Sequence, residues 1–363
     1  MTLKPKIIDR YIMKKFITTF FIALILIIGI VIIFDVSEKI DDFAKNEAPL
    51  KAIIFDYYLN FVPYFMNMFS PLFVFITVIF FTSRMAANSE IIAILSGGVS
   101  YRRMMVPYVV SAALIALLSL GLNLFVIPRS NQTRVEFELK YVKSRSSLAG
   151  RNVHYQIAPG QFVFVESFSK WNNTAYKITL EQIEDNKLVS KLSAESAVWD
   201  STMGGWKMRK WFIRDYTDGI EDRVRLGEQL DTVIALTLED FQRNELTTET
   251  LPIKALQELI DTQKMRGDKN VIYAQIEKNT RYALPFSAFI LTIMGVSLTS
   301  RKKRGGIGWN IAVGIGLAFL YILFLRLSQM FVYTNALPPG IALWLPNFIY
   351  TIIAAVLYRM APK

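Results

Sequence analysis

The sequence predicts an α-helical membrane protein with six transmembrane helices and an all-β domain inserted after the third. Two observations carry this prediction. The chain of 363 residues is 53% hydrophobic and contains six apolar runs, each close to the roughly 20 residues that a helix needs to cross the hydrocarbon layer. These runs are divided three and three by a polar stretch, residues 128–281, whose pattern is typical of strands.

The apolar runs are long and almost free of charge, which is unusual for the core of a globular protein and typical of membrane spans. They cover residues 16–34, 59–82, 105–127, 282–299, 307–331 and 340–360.

Lysine and arginine are concentrated before the first run and in the second and fourth connections. The first connection is mainly acidic, and the fifth, residues 328–339, has no charge. Because short basic loops stay in the cytoplasm, we expect a multi-pass protein of the bacterial inner (cytoplasmic) membrane. Both termini would be cytoplasmic and the β domain periplasmic.

The pattern divides the chain into three parts. Residues 1–128 would hold helices 1–3 and a short cytoplasmic helix at about 88–98. Residues 129–251 would form the β domain, where Tyr176 and Ile178, and likewise Trp206 and Met208, alternate with polar residues between turn signals. Such spacing favours an antiparallel sandwich, a jelly roll or an open barrel. Residues 252–363 would hold amphipathic connecting helices, the first starting at Pro252, and helices 4–6.

One predicted strand, at residues 162–165, is apolar on both faces. An ordinary core strand is the default interpretation. The alternative is a strand whose Phe162 and Phe164 line an apolar groove.

The segment between the second and third runs predicts a short helix with an acidic first turn. Asn88 or Ser89 can cap it, and Glu90 suits the positive end of the helix dipole. Its apolar residues would press into the membrane surface or into a socket on a cytoplasmic partner, and the sequence leaves both open. The candidate coupling residues are Arg84, Ser89, Glu90, Ile91, Ile94, Leu95 and Gly97.

No Gly-x-x-x-x-Gly-Lys sequence occurs, so any use of ATP must come from another chain. With a single histidine, His154, and no cysteine, the sequence predicts no metal site, cofactor or catalytic residue. We expect a transport subunit rather than an enzyme, with no nucleic-acid partner.

Cations lie near the outer ends of the predicted spans: Lys39, Arg129, Arg134, Lys278, Arg281 and Arg326. Snorkelling anchors explain most of them individually. Arg326 sits within an apolar run, where charged residues usually face a cavity or a partner. Several cations at one depth would suit an amphiphile with a phosphorylated headgroup. Asn67, Asn123 and Asn347 within the runs also fit helices that line a chamber.

Together these features resemble the lipopolysaccharide-export permease family of the LptF/LptG type, also called YjgP/YjgQ. The resemblance covers nearly the whole chain. It rests on the span layout, on the segment from Arg84 through Glu90 to Gly98, and on Tyr273 to Pro285 followed by Gly295 and a basic turn at 301–308.

The resemblance implies a periplasmic β-jellyroll similar to those that form the periplasmic bridge, with Phe162 and Phe164 as candidate residues of a lipid groove. Whether that groove carries lipid stays open. It implies a second LptF/LptG-type permease subunit, a cytoplasmic ATPase dimer of the LptB type, and a periplasmic bridge protein of the LptC/LptA type. The ATPase would receive the Glu90 helix, and the complex would extract lipopolysaccharide from the outer leaflet of the inner membrane.

Only Lys39 is basic at the outer end of the first run, where G-type relatives often place several lysines. The choice between F type and G type therefore stays open. The alternative function is a non-transporting transmission or scaffold protein that couples a cytoplasmic ATPase to envelope partners.

Overall fold

The computed structural model describes residues 6–142, 148–169, 171–217, 220–238, 241, 248–268, 270–300 and 306–361. The chain forms two compact units. The membrane unit comprises Met1–Phe137, Glu249–Ile253 and Gln275–Lys363. The strand unit comprises Glu138–Thr248 and Lys254–Ala274.

Among the described residues, six helical stretches are long and apolar enough to cross a membrane, and they confirm the predicted spans. They cover Ile7–Lys45, Leu50–Ala87, Tyr101–Tyr141, Val271–Thr299, Ile311–Tyr333 and Pro339–Met360. The helices are α1 (Ile7–Lys45), α2 (Leu50–Ala52), α3 (Leu59–Ala87), α4 (Glu90–Ser96), α5 (Tyr101–Gly121), α6 (Ile127–Tyr141), α7 (Ile253–Met265), α8 (Val271–Thr299), α9 (Gly306–Tyr333), α10 (Pro339–Ala342) and α11 (Leu345–Met360).

Two spans contain a π-helical turn. Ile53–Tyr58 joins α2 to α3, and Leu122–Val126 joins α5 to α6. A π turn opens the regular helical ladder and often marks a functional position. The third span continues as helix through α6 to Tyr141, so residues 129–141 of the predicted β domain are helical.

The helices α3 and α8 form the centre of the membrane unit. In the most apolar 18 residues of each span, 56% are buried in the span of α3 and 67% in that of α8. The corresponding share is 22% for the spans of α1 and α9. One core contains Phe16, Val78 and Tyr108, and a second contains Phe75 and Tyr321. The apolar faces of α1 and α9 therefore require lipid or another protein.

Two glycines let helices approach α3 closely. A Cβ on Gly295 of α8 would lie 3.0 Å from Val78 Cγ1. A Cβ on Gly314 of α9 would lie 2.2 Å from Ile79 Cδ1. Small residues at such positions allow tight helix packing where the hydrophobic effect between helices is absent.

The strand unit contains one antiparallel sheet whose order follows the chain from β1 to β6. It confirms the predicted inserted β domain. Greek-key crossovers define a jelly roll, and the described strands pair only with neighbours in sequence, so the jelly roll stays a prediction. The strands are β1 (Leu148–Ala158), β2 (Gln161–Ser169), β3 (Thr174–Glu184), β4 (Lys187–Asp200), β5 (Gly205–Thr217) and β6 (Ile220–Thr232).

A row of polar residues, here called the crease row, crosses all six strands. On β1, β3 and β5 the residue in this row has a left-handed backbone, with φ of 52°, 48° and 47°. Ion pairs of 2.6 and 2.9 Å join neighbours along it. The crease row consists of Asn152, Glu166, Lys177, Glu195, Lys210 and Glu228. On each strand, the residues on either side of the row member pair with residues of the neighbouring strand.

The crease row changes which face the alternating residues occupy. On β3, Ala175 and Ile178 are both fully buried although three positions separate them. Tyr176, which the period-two pattern places on the same face as Ile178, is 39% exposed. The simple alternation predicted for Tyr176 and Ile178 is therefore wrong, because the left-handed Lys177 lies between them.

The buried face of the sheet is covered by the chain that follows β6. Trp206 Nε1 donates a hydrogen bond of 2.8 Å to the Leu236 carbonyl oxygen, and Phe168 stacks on Phe241 with ring centroids 4.4 Å apart. The connecting helix predicted from Pro252 is α7, which belongs to the strand unit. It buries Leu256, Leu259, Ile260 and Gln263.

Candidate functional site

The short helix α4 packs its apolar side on the membrane unit itself. Ile91 is completely buried, and Ile94 and Leu95 pack against the same core as Phe16. Both interpretations of the sequence, insertion into the membrane surface and insertion into a partner, required these side chains to be free. Ile91 is covered by the membrane unit, whereas Ile94 and Leu95 are only half-buried, and a role of these three residues in coupling stays a prediction.

The opposite side of α4 is open. Ile92 is 51% exposed, and Ser89 has a left-handed backbone that turns the chain sharply from α3 into α4. The exposed residues of this segment are Arg84, Ala87, Asn88, Ile92, Ala93, Ser96, Gly97 and Gly98. A partner would meet this mixed surface, and of the predicted coupling residues Arg84 and Gly97 belong to it.

Glu90 is bound by the first turns of α1. The Tyr11 hydroxyl donates a hydrogen bond of 2.8 Å to Glu90 Oε2, and Lys15 Nζ lies 3.6 Å from the same oxygen. Asn88 donates to the other oxygen over 3.3 Å. Burial raises the pKa of Glu90, but the hydrogen bonds from Tyr11 and Asn88 and the charge of Lys15 outweigh it, and the net pKa lies below its ordinary value.

A second pair at the same end joins α1 to α5. Arg103 donates two hydrogen bonds to Asp9, of 2.7 and 2.5 Å, in the bidentate geometry typical of strong arginine–carboxylate pairs. Asp9 also accepts a hydrogen bond of 2.8 Å from the Lys6 backbone, and so caps α1. We call the first turns of α1, together with α4 and the start of α5, the Glu90 end.

Sequence reasoning missed Asp9, Tyr11 and Arg103. An acidic residue three positions after a helix start is a capping signal, and it could have identified Asp9. Nothing in the spacing links Tyr11 to a glutamate 79 positions away.

The opposite end of the membrane unit, here called the Glu249 end, contains most of the predicted headgroup cations. Lys39 is one of them, and it is neutralised within its own helix. Its Nζ lies 2.6 Å from Asp35 Oδ1 and also donates to the Tyr57 hydroxyl. Tyr58 donates to the other Asp35 oxygen over 3.1 Å. Lys39 therefore belongs to a local cluster of paired side chains at the first π turn.

Arg281 and Arg134 are buried in a paired network. Arg281 is 2% exposed and donates to Glu277 over 2.7 Å and to the Leu251 carbonyl over 2.8 Å. Arg134 is 6% exposed and lies 3.5 Å from Glu249. Buried charges persist when they are paired and hydrogen-bonded. Each of these two cations therefore has a carboxylate partner and little contact with solvent.

Arg129 and Arg326 differ from the other candidates. Both are exposed, and neither has a carboxylate partner in the described parts of the chain. Arg326 donates to Gln329 over 3.3 Å and lies 3.8 Å from the Met68 sulfur on α3. Lys278 is half-buried and has a partner of its own. Arg129 and Arg326 are thus accessible to a ligand, whereas the other candidate cations already have partners within the chain.

The asparagines within the spans form hydrogen bonds that join neighbouring helices. Asn67 donates to Asn123 over 2.8 Å and accepts from Ser119 over 2.6 Å. Asn347 donates to the Ala283 carbonyl and accepts from Tyr321, each over 2.8 Å. Buried amides find partners on neighbouring helices in this way, and the chamber-lining role expected from polarity stays a prediction.

Phe162 and Phe164 lie on the face of β2 opposite the buried Val163 and Val165. Phe162 is 38% exposed, and the ring centroids of Phe164 and His154 lie 4.5 Å apart. They border an open depression of the sheet together with the ion pair Glu181–Lys191, of 2.6 Å. The two phenylalanines therefore line a surface and not the packed interior of the sheet.

Among the described residues, no group of three or more His, Asp or Glu side chains could hold a metal ion. The basic residues of the predicted turn at 301–308, Arg301 to Arg304, lie outside the described residues.

Comparison with known proteins agrees with this arrangement. A family model described as lipopolysaccharide export system permease LptF/LptG matches residues 10–360. The match covers all six spans and the sheet. No curated protein matches the chain.

Proposed function

The chain belongs to the lipopolysaccharide export system permease family LptF/LptG, and on that premise we propose that it is the membrane subunit of an ATP-driven lipopolysaccharide extractor. Membership makes it an integral inner-membrane permease of lipopolysaccharide export. Beyond family membership, we propose the extraction step, the ATPase and the remaining partners.

The observation that carries the proposal is Arg326. It lies within an apolar span, is exposed, and has no carboxylate partner among the described residues. A charge at the centre of a lipid-facing helix costs about 2.5–3.5 kcal/mol on insertion scales. A phosphorylated headgroup in a cavity would offset that cost, and Arg129 is the second cation available for it.

The energy must come from a second chain, because the sequence has no nucleotide-binding loop. The open side of α4, centred on Ile92 and Ala93, is the proposed docking surface for a cytoplasmic ATPase dimer of the LptB type. Docking there suits a helix whose opposite side is fixed to the membrane unit. Movement of the ATPase would then displace α4 together with the spans that it contacts.

A second permease subunit is proposed to complete the lipid cavity. The exposed apolar faces of α1 and α9 include Ile22, Ile25 and Phe319, which are 54%, 64% and 64% exposed. A partner of the same family could cover part of this surface. The strand unit would pass lipid to a periplasmic bridge protein of the LptC/LptA type, with both termini of the chain cytoplasmic, as the loop charges favour.

The test is photocrosslinking from Arg326 in a complex reconstituted with an ATPase, a second permease subunit and lipopolysaccharide in proteoliposomes. A photoreactive residue at Arg326 is expected to capture lipopolysaccharide in an ATP-dependent manner. The matched control places it at Leu327, the next residue, which is 50% exposed. Equal capture of bulk phospholipid at both positions, with no lipopolysaccharide, would overturn the cavity assignment.

Docking is tested separately on α4. Ile92→Arg is expected to abolish co-purification of the ATPase, because it places a charge in the apolar centre of the surface. Ile92→Val keeps the surface apolar and is expected to retain the ATPase. Full retention with Ile92→Arg would remove this surface from the proposal.

A further inference from the structure

The first turns of α1 hold the Glu90 helix from its side, through Tyr11 and Lys15. We propose that Tyr11 and Lys15 are positioning residues for transport: they tie α4 to α1, so that movement of α4 is passed along α1 to the Glu249 end. The inference rests on the proposed function, since it assigns a route by which ATP-driven movement of α4 reaches the lipid.

The contact is specific in its chemistry. One carboxylate oxygen of Glu90 receives both the Tyr11 hydroxyl, at 2.8 Å, and the Lys15 ammonium, at 3.6 Å. Lys15 also donates to Tyr11, so the three side chains form a closed triangle. The hydrogen bond from the Tyr11 hydroxyl has an ionised carboxylate as its acceptor, and such a bond is stronger than one between neutral groups. Glu90 is thereby engaged by its own chain.

Neighbouring cations on α1 show that this triangle is selective. Arg10 and Lys14 are exposed, and they have no ion pair with described residues. Lys15 is the cation of this stretch that turns toward α4, with its side chain 34% exposed. Basic residues that only obey the loop-charge rule need no such partner.

The helix α1 is suited to transmit a displacement. It runs unbroken for 39 residues and contains no proline. From Lys15 to Asp35 it spans about 30 Å at 1.5 Å per residue. At that far end Asp35 holds Lys39 and Tyr58, so a shift of α1 would reach the cluster at the first π turn.

A second contact ensures that α1 does not move alone. The bidentate pair between Asp9 and Arg103 ties the start of α1 to the start of α5. The helices α4, α1 and α5 are therefore joined at the Glu90 end by two charged contacts, one on each neighbour of α1. Breaking only the Glu90 contact would remove the charged link between α4 and α1, while the apolar packing of Ile91 and the pair of Asp9 with Arg103 stay in place.

The first experiment uses the reconstituted complex and measures ATP hydrolysis and lipopolysaccharide release in the same sample. Tyr11→Phe combined with Lys15→Met removes the hydroxyl and the ammonium group with little change in shape. We expect ATP turnover within twofold of the unaltered complex, and a fivefold to tenfold lower release of lipid per ATP. Lys14→Met, one position away, is the matched control, and Lys15→Arg with Tyr11 retained is expected to keep coupling.

Two results would overturn the inference. One is an unchanged ratio of lipid released to ATP hydrolysed in the double variant. The other is loss of ATP turnover and lipid release in proportion, which would make Tyr11 and Lys15 docking or folding residues.

The second experiment needs no lipid, and so separates this inference from the proposed function. The chain has no cysteine, so Ile33→Cys, at an exposed position on the far half of α1, can carry a single bimane fluorophore. In the ATPase-bound complex, ATP is expected to change the bimane emission, and the double variant is expected to lose this change. An ATP-dependent change of equal size in the double variant contradicts the inference whatever happens to lipid. Absence of ATP-driven lipopolysaccharide release in the unaltered complex would instead contradict the proposed function.

Discussion

Arg281 and Glu277 lie one helical turn apart on α8 and form an ion pair in which Arg281 Nε donates to Glu277 Oε1 over 2.7 Å. The same guanidinium donates to the carbonyl oxygens of Leu251 and Glu249. It thereby fastens the segment at residues 249–253 to α8 within the membrane unit. An arginine held in this way supports the architecture, whereas Arg326 is available to a ligand.

Replacing Arg281 is expected to destabilise the membrane unit. Arg281→Gln leaves the half-buried Glu277 without its cation and removes hydrogen bonds to two carbonyls. Loss of one partner of a fully buried pair costs about 3–5 kcal/mol, so a smaller loss of stability is expected here. Thermal unfolding in detergent should show a clearly lowered midpoint. Arg326→Gln is the control: Arg326 has no carboxylate partner in the described part of the chain, so its replacement is not expected to lower the midpoint. Equal stability of both variants would contradict the structural role of Arg281.

Helix packing predicts opposite effects for two glycines on α9. In a helix, Gly→Ala normally stabilises by about 0.5–1 kcal/mol. Gly316 has open space around it, so Gly316→Ala should follow that rule. Gly314→Ala would place its Cβ 2.2 Å from Ile79 Cδ1, and such overpacking costs about 1–3 kcal/mol. Thermal unfolding of both variants in the same detergent checks the difference. If Gly314→Ala is as stable as Gly316→Ala, α3 and α9 do not approach this closely.

The spans and the inserted sheet follow from sequence because each rests on a local periodicity. Twenty apolar residues in a row predict a span whatever surrounds them. Period-two alternation places Trp206 and Met208 on one buried face, as observed. The rule fails at Tyr176, because Lys177 has the left-handed backbone that lysine rarely adopts, and no local pattern marks that position.

The candidate site was harder to predict because charge alone does not reveal pairing. Lys39, Arg134, Arg281 and Arg326 look alike as cations near span ends. The partner of Arg134, Glu249, comes from the far side of the inserted domain, 115 positions away in the chain. Only the folded arrangement shows that three of these cations are engaged and that Arg326 is not.

The crease row yields a prediction about Lys177. Its φ of 48° lies in the left-handed region, which costs a residue with a Cβ roughly 1–2 kcal/mol. Lys177→Gly removes that cost and loses only an exposed ion pair, so it should be neutral or stabilising. Thr179→Gly, on the same strand with an ordinary backbone, should instead destabilise by about 0.5–1 kcal/mol. Urea unfolding of the full chain, followed by tryptophan fluorescence, compares the two. Greater destabilisation by Lys177→Gly than by Thr179→Gly would argue against the crease.

Acid is expected to release the Glu90 side chain from Tyr11 and Lys15, while Ile91 stays packed. The pKa of Glu90 is lowered from its ordinary value of 4.5 in the folded protein, so its stabilising contact is fully present above pH 4.5 and is lost as the pH falls through the lowered value. A bimane fluorophore on Ile92→Cys should report this release as an emission change that begins below about pH 4.5. Asp9 lies at the same end and also titrates in acid, so its protonation could produce a similar signal. Glu90→Gln distinguishes the two, because it removes the Glu90 titration and leaves the pair of Asp9 with Arg103 in place. A transition of the same size and midpoint in Glu90→Gln would assign the acid response to Asp9 and not to the contact between α4 and α1.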